Sequence, residues 1–214
     1  MFKAKALFFD LDGTLVDARR DIAAAMNRVL QRLGYPERSV DAITSYIGTG
    51  VKDLVADSIG TADASLIDRA TVMYEEEYLK APADHTIIFP GVVETLDFFK
   101  DKDKYILTNR YAHLASALLE KVGIKKYFKE VYGGDKEGCI KPSICVTDII
   151  FKKLKLDKKD AIMIGDMSID VMTGKNSGIK SCWVTYGLGK REEVMPLEPD
   201  YVLDSIFDLT KIIT

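Results

Sequence analysis

Residues 4–9 form a short apolar run that stops abruptly at Asp10. A strand buried on both faces reads this way when its end opens into a polar site. Similar short runs recur at residues 105–107, 131–132, 161–164 and 181–185. Between them, residues 92–100, 112–122 and 144–154 place apolar side chains at helical spacing. Gly123 and Gly178 stand where C-terminal helix stops are expected. Strands alternating with helices predict an α/β fold, a Rossmann-like parallel sheet covered on both faces. Such a sheet binds its ligand at the carboxyl ends of its strands.

One region breaks the alternation. From Asp17 to Lys80 the pattern is helical throughout. Residues 21–33 carry Ile22, Met26, Val29, Leu30 and Leu33 on one face and stop at Gly34-Tyr35-Pro36. Ser39 is placed to cap the next helix, and further helices are expected over 51–59 and 66–79. Ala81-Pro82-Ala83-Asp84 has the composition of a linker. Four successive helices exceed what one crossover connection needs. The expected organisation is therefore a core of residues 1–16 and 83–214 with an inserted all-α helical domain over 17–82.

Composition narrows the field. The chain has 214 residues, 47% of them hydrophobic, enough for a packed core, and a formal net charge of -3. Acidic and basic residues are mixed along it, so no basic patch favours nucleic acid and no basic amphipathic helix favours a membrane surface. No apolar run reaches the length of a membrane span. Cys139, Cys145 and Cys182 are odd in number and lack zinc-site spacing, so they are read as reduced thiols of a cytoplasmic protein. His85 and His113 have no partners at ligand spacing and are read as surface residues.

Chemistry gathers at the strand ends. After the first strand come Asp10-Leu11-Asp12-Gly13-Thr14, and alternate residues of an extended segment share a face. Two carboxylates that close repel each other unless a cation or proton is shared, and a hard cation such as magnesium fits oxygen ligands beside phosphate. Taken alone, the pair fits an acidic capping loop equally well. Thr108-Asn109 follows a later strand and offers a hydroxyl and an amide to phosphate oxygens, although both are ordinary turn residues. Lys141-Pro142 supplies a cation on a restricted backbone, and in isolation it reads as one surface lysine among many. Gly165-Asp166 ends another strand, with Asp170 one helical turn further on; both acids also suit a helix start. The conjunction decides: acid pair, Thr-Asn, Lys and acid pair all fall on the ligand-binding edge of one sheet.

These motifs, Phe9-Asp10-Leu11-Asp12-Gly13-Thr14, Leu107-Thr108-Asn109, Lys141-Pro142 and Gly165-Asp166-Met167-Ser168-Ile169-Asp170, resemble the haloacid dehalogenase superfamily of phosphatases over essentially the whole chain. The helical insert resembles the small cap of that family, and Gly48-Thr49-Gly50 and Phe89-Pro90-Gly91-Val92 look closest to its phosphoglycolate phosphatase-like branch. The resemblance implies a magnesium-dependent phosphomonoester hydrolase acting on a small phosphorylated metabolite. It implies Asp10 as nucleophile and Asp12 as acid and base. Magnesium would be held by Asp10, the Asp12 carbonyl and Asp166, with Asp170 in support. Thr108, the Asn109 backbone and Lys141 would hold phosphate. Lys52, beside the glycine turn, is a candidate reader of a substrate carboxylate, or else a solvated helix lysine. A phosphosugar mutase, a pyrophosphatase and a non-catalytic phosphate-binding regulator are the competing functions. A monomer or homodimer is expected. Two departures stand out: Ser143-Ile144 where the family often has a second proline, and Gly174 and Asn176 in the helix after the last motif. Both residues are poor helix formers, so loose packing is expected there.

Overall fold

The computed structural model describes residues 1–136 and 138–214. In chain order the strands are β1 (Ala6–Phe9), β2 (Val16–Asp17), β3 (Ile87–Ile88), β4 (Asp103–Leu107), β5 (Glu130–Tyr132), β6 (Ala161–Gly165), β7 (Lys180–Val184) and β8 (Tyr201–Leu203). The α-helices are α1 (Arg19–Arg32), α2 (Val40–Thr44), α3 (Val51–Ile59), α4 (Ala64–Lys80), α5 (Val92–Phe98), α6 (Ala112–Lys121), α7 (Ile144–Leu154), α8 (Ser168–Ser177), α9 (Arg191–Val194) and α10 (Leu209–Ile212).

Six strands make one sheet in the order β5-β4-β1-β6-β7-β8, every neighbouring pair parallel. Side chains alternate across a strand, and here the alternation divides the core in two. Leu7 and Phe9 of β1, Ile106 of β4, and Ile162 and Ile164 of β6 pack into one buried cluster. Ala6, Phe8, Tyr105, Leu107, Ala161 and Met163 pack on the other face against Val146, Ile150 and Phe151 of α7. Both faces are thus buried, which is why the strand sequences read as continuous apolar runs. The chain leaves β1 for β4 on one side and later returns to β6 on the other. The order therefore reverses beside β1, and a crevice opens at the carboxyl ends of β4, β1 and β6.

The helices α1–α4 lie between β2 and β3, which pair antiparallel through Val16 with Ile88 and Asp17 with Ile87. This two-stranded ribbon, where the chain leaves and re-enters the sheet, was not foreseen: two residues are too few to carry a period. Near it, the buried Asp21 carboxylate accepts from the His85 amide at 3.0 Å and the Thr86 hydroxyl at 2.6 Å. Ser39 does cap its helix, accepting from the Ala42 amide, and Asp63 caps α4. The apolar face of α1 (Ile22, Met26, Val29, Leu30) belongs to the same buried cluster as Leu7 and Phe9.

Two expectations need correction. Cys139 and Cys145 are not reduced thiols but a disulfide, because the loop between them brings their Cα atoms to 5.2 Å; Cys182 is the free, buried thiol. Burial pushes the Cys182 thiol pKa up, so it is an inert core residue. The segment with Gly174 and Asn176 is not loosely packed. A side chain at Gly174 would meet the Ser181 Cβ at 2.9 Å, so the glycine is what lets α8 lie against β7. Asn176 donates to the Pro142 carbonyl at 3.0 Å and ties α8 to the lysine loop. The strand β8 and the short helices α9 and α10 went unread, since each spans only three or four residues. No helix among the described residues is long and apolar enough to cross a membrane.

Candidate active site

Asp10 directly follows β1, Thr108 follows β4 and Asp166 follows β6, so three adjacent parallel strands deliver three site residues to one crevice. Asp170 enters from the first turn of α8, where it also accepts from the Met167 amide at 3.0 Å. Carboxylate oxygens of Asp10, Asp166 and Asp170 lie within 4.8 Å of one another, and all three residues are buried. The Lys141 Nζ reaches between two of them, 2.6 Å from Asp10 Oδ1 and 2.6 Å from Asp170 Oδ1.

Burial raises the pKa of Asp10 well above the usual aspartate range; Lys141 opposes the rise, and Asp170 and Asp166 add to it. Asp166 is also raised, by burial first and by Asp170 second. Burial works against the charge on Lys141, but Asp10 and Asp170 outweigh it and hold its pKa above the ordinary lysine value. Ionised together, three buried carboxylates against one ammonium would leave two negative charges without a counterion. A dication with oxygen preference fits that donor set in charge and in chemistry. The surroundings fit as well. Asp166 is oriented by Thr14 Oγ1 at 2.7 Å and the Leu188 amide at 2.6 Å, and its carbonyl accepts from Trp183 Nε1 at 2.7 Å. Gly13 and Gly187 pass so close to its carboxylate that any side chain there would collide with it.

Asp12 is turned elsewhere. Its two oxygens accept from Arg110, Nη2 to Oδ1 at 2.7 Å and Nε to Oδ2 at 3.0 Å, so its side chain is not part of the carboxylate cluster. Any role as a ligand falls to its backbone carbonyl. Thr108 is buried in the crevice, its hydroxyl accepting from the Arg110 amide at 3.2 Å. The Asn109 side chain is taken up inside the protein. Its Nδ2 donates to Gly48 O at 2.8 Å and Lys141 O at 3.0 Å, while its Oδ1 accepts from the Lys141 amide at 2.8 Å. The side-chain amide is thus fully engaged as a clip between helical insert, sheet and lysine loop, and only the backbone is left for phosphate. Lys52 Nζ lies 2.8 Å from Asp68, and Lys52 is not among the residues that line the cavity.

The crevice is roofed by the α2–α3 loop, α3 and α4. Ile47, Gly48, Gly50, Val51, Leu54 and Tyr74 face Asp10, Asp12, Thr108, Lys141 and Met167 across a cavity of about 50 Å³. Sequence reasoning missed Arg110 and the two tyrosines of α4, Tyr74 and Tyr78. The signal for Arg110 was its place directly after Thr108-Asn109 at a strand end. For the tyrosines it was their four-residue spacing on an amphipathic helix.

A parallel sheet carrying paired acids at β1 and β6 and a lysine between them defines a class, and the comparisons agree. Residues 7–184 match the family model described as haloacid dehalogenase-like hydrolase, and the chain belongs to that family. Within it the chain stands among the phosphatases. It is 30% identical to the phosphoglycolate phosphatase of Vibrio parahaemolyticus, over 98% of this chain and 96% of that protein. It is 32% identical to the phosphoglycolate phosphatase of Chromobacterium violaceum, over 96% and 94% of the two chains. A crystal structure of a predicted phosphoglycolate phosphatase from Haemophilus somnus superposes with a TM-score of 0.90 at 25% identity, covering 99% of both chains. The chain is therefore a phosphatase enzyme, and a non-catalytic phosphate-binding regulator is set aside.

Proposed function

We propose that this phosphatase hydrolyses a small phosphorylated carboxylic acid, 2-phosphoglycolate or a close analogue, with magnesium as its cofactor. The observation that carries the reading is the trio of buried carboxylates with Lys141 set between Asp10 and Asp170. The naming of the two relatives supports the substrate class. The cavity is in keeping with it: about 50 Å³ is the scale of a few water-sized groups and suits a small leaving group.

In this reading the Asp10 carboxylate attacks phosphorus, the bond from phosphorus to the ester oxygen breaks, and the phosphoryl group stays on Asp10. Asp12, released from Arg110 at one oxygen and protonated there, gives that proton to the departing oxygen. It then takes a proton from the water that attacks phosphorus, the bond from phosphorus to the Asp10 oxygen breaks, and inorganic phosphate leaves with the Asp10 carboxylate restored. Lys141, Thr108 and the Asn109 backbone N–H hold the phosphoryl oxygens. Asp10, Asp166 and the Asp12 carbonyl would hold magnesium, with Asp170 in support. When bound, the dication supplies charge neutralisation and polarisation of the phosphoryl group. Lys141 lies against Asp10 here, so its ammonium must shift toward the phosphoryl oxygens as substrate enters.

The insert over 17–82 acts as a cap on the core of 1–16 and 83–214, hinged at the β2–β3 ribbon. Closing it keeps bulk water from the aspartyl-phosphate. A cytoplasmic setting is also proposed, although the Cys139–Cys145 bridge removes one of the grounds for it. The test is a panel of 2-phosphoglycolate, sugar phosphates, pyrophosphate and p-nitrophenyl phosphate, assayed with magnesium and with excess EDTA. Phosphate release is expected to be fastest from 2-phosphoglycolate and to fall at least 100-fold with EDTA, the order lost with the Lewis acid. A preference for sugar bisphosphates or pyrophosphate would move the reading to a mutase or a pyrophosphatase.

A further inference from the structure

Arg110 is the second cation of the cavity, and its surroundings are unusual. The residue is 7% exposed and lines the cavity beside Asp12. One edge of its guanidinium, Nε and Nη2, is taken by the two Asp12 oxygens. Its face rests on the ring of Tyr78 from α4, 4.6 Å from the ring centre. The remaining nitrogen, Nη1, is shielded from solvent and has no hydrogen-bond partner among the described residues. An unpaired N–H on a buried cation is costly, and native proteins keep one mainly where a ligand or water will meet it.

We propose that Arg110 reads the second anionic group of the substrate, a carboxylate carried by the leaving alcohol. The assignment rests on the phosphatase reading and specifies its substrate class: phosphate esters with an acid one carbon from the ester oxygen. Donor geometry supports it. Lys141 is engaged by Asp10 and Asp170, and Asp12 holds only the Nε and Nη2 edge of Arg110, so Nη1 is the cationic donor on the Asp12 side of the cavity that a second anion can meet. Distance supports it too. Asp12, in reach of the leaving oxygen, would lie about 2.7 Å from it and is as close to Arg110, so leaving oxygen and guanidinium are separated by two hydrogen-bond lengths. One methylene and one carboxyl group span about 3 Å from that oxygen, and a further hydrogen bond to Nη1 closes the gap. The planar fork suits a carboxylate, and Tyr78 fixes its orientation. Because Tyr78 comes from the insert, the reader is complete only while α4 covers the crevice.

The experiment compares 2-phosphoglycolate with 2-hydroxyethyl phosphate, which puts a hydroxyl where the carboxylate was. Wild-type enzyme with magnesium is expected to favour the acid by about 30-fold or more in kcat/KM, since a built polar pocket rejects a substrate that leaves it unpaired. Arg110→Gln is expected to bring the two esters within about 3-fold of each other, chiefly through KM for the acid, and Arg110→Lys to restore part of the preference. Arg110 also holds Asp12, so a fall in kcat shared by both esters is expected on top of this. An equal fall with the preference intact would overturn the proposal and leave Arg110 as a positioning residue for Asp12. Should Arg110→Gln fail to fold, wild type and Arg110→Lys still decide, because a wild-type enzyme that turns over both esters without preference overturns it equally. Turnover of p-nitrophenyl phosphate but of neither two-carbon ester would instead sink the substrate reading, and this assignment with it.

Discussion

Asn109 uses both amide hydrogens and its carbonyl oxygen inside the protein, on Gly48 and on the backbone of Lys141. Removing that side chain frees the lysine loop and cuts a link to the insert without touching a charge. Asn109→Ala is expected to lower kcat/KM by about 10- to 100-fold, the scale of a small misplacement of a catalytic group. Steady-state kinetics on 2-phosphoglycolate with magnesium check it, and an unchanged kcat/KM would show that Lys141 is positioned otherwise. At this scale the sequence was informative where chemistry sits on a strand end. Asp10, Thr108 and Asp166 each follow an apolar run, and a charge that interrupts such a run has few structural explanations. It was uninformative about pairing. Asp12 meets Arg110 across 98 positions of chain, and nothing local says that this arginine is buried when most are not. The Cys139–Cys145 bridge escaped for a similar reason: six residues of separation say nothing about where the loop carries the two sulfurs.

The helices were legible where their apolar faces run for several turns, as in α1 and α4, and illegible where an element is too short to have a period. Gly174 is instructive, since propensity alone marks it as a weakness while packing against Ser181 demands it. Within the insert, Glu77 of α4 binds two elements together. Its carboxylate accepts from Lys80 at 2.7 Å, Arg28 Nε at 3.0 Å and Arg32 Nη1 at 2.9 Å, the last two on α1. Lys80, with Arg28 and Arg32, holds the carboxyl below the ordinary glutamate value of 4.5. A lowered folded-state pKa stabilises the fold above the unfolded value and loses that contribution as pH falls through the folded value. Glu77→Gln is therefore expected to cost about 2 kcal/mol at pH 7, from charge-assisted hydrogen bonds. That corresponds to a drop of roughly 4–8 °C in Tm for a chain of this size. The gap between the two proteins should narrow as pH is lowered below 4.5. Thermal unfolding at pH 7 and pH 4 measures it, and a gap independent of pH would contradict the assignment.

Taken as one molecule, the protein places its strongest electrostatic conflict where its sheet topology makes room for a ligand. The reversal of strand order beside β1 opens the crevice, Asp10, Asp166 and Asp170 fill it with buried negative charge, and Lys141 offsets only part of that charge. This overall plan was legible in sequence, because parallel strands place their carboxyl ends on one edge whatever their order. The way the insert meets the core was not, since the contacts of Gly48 with Asn109 and of Tyr78 with Arg110 depend on how two apolar surfaces settle together. The central claim is that Asp10 itself accepts the phosphoryl group. The most direct measurement is kcat of Asp10→Asn with magnesium and 2-phosphoglycolate, on protein whose circular dichroism and Tm match wild type. An amide cannot serve as the nucleophile, so turnover is expected to fall by at least about 1000-fold. Activity within about tenfold of wild type would contradict the account.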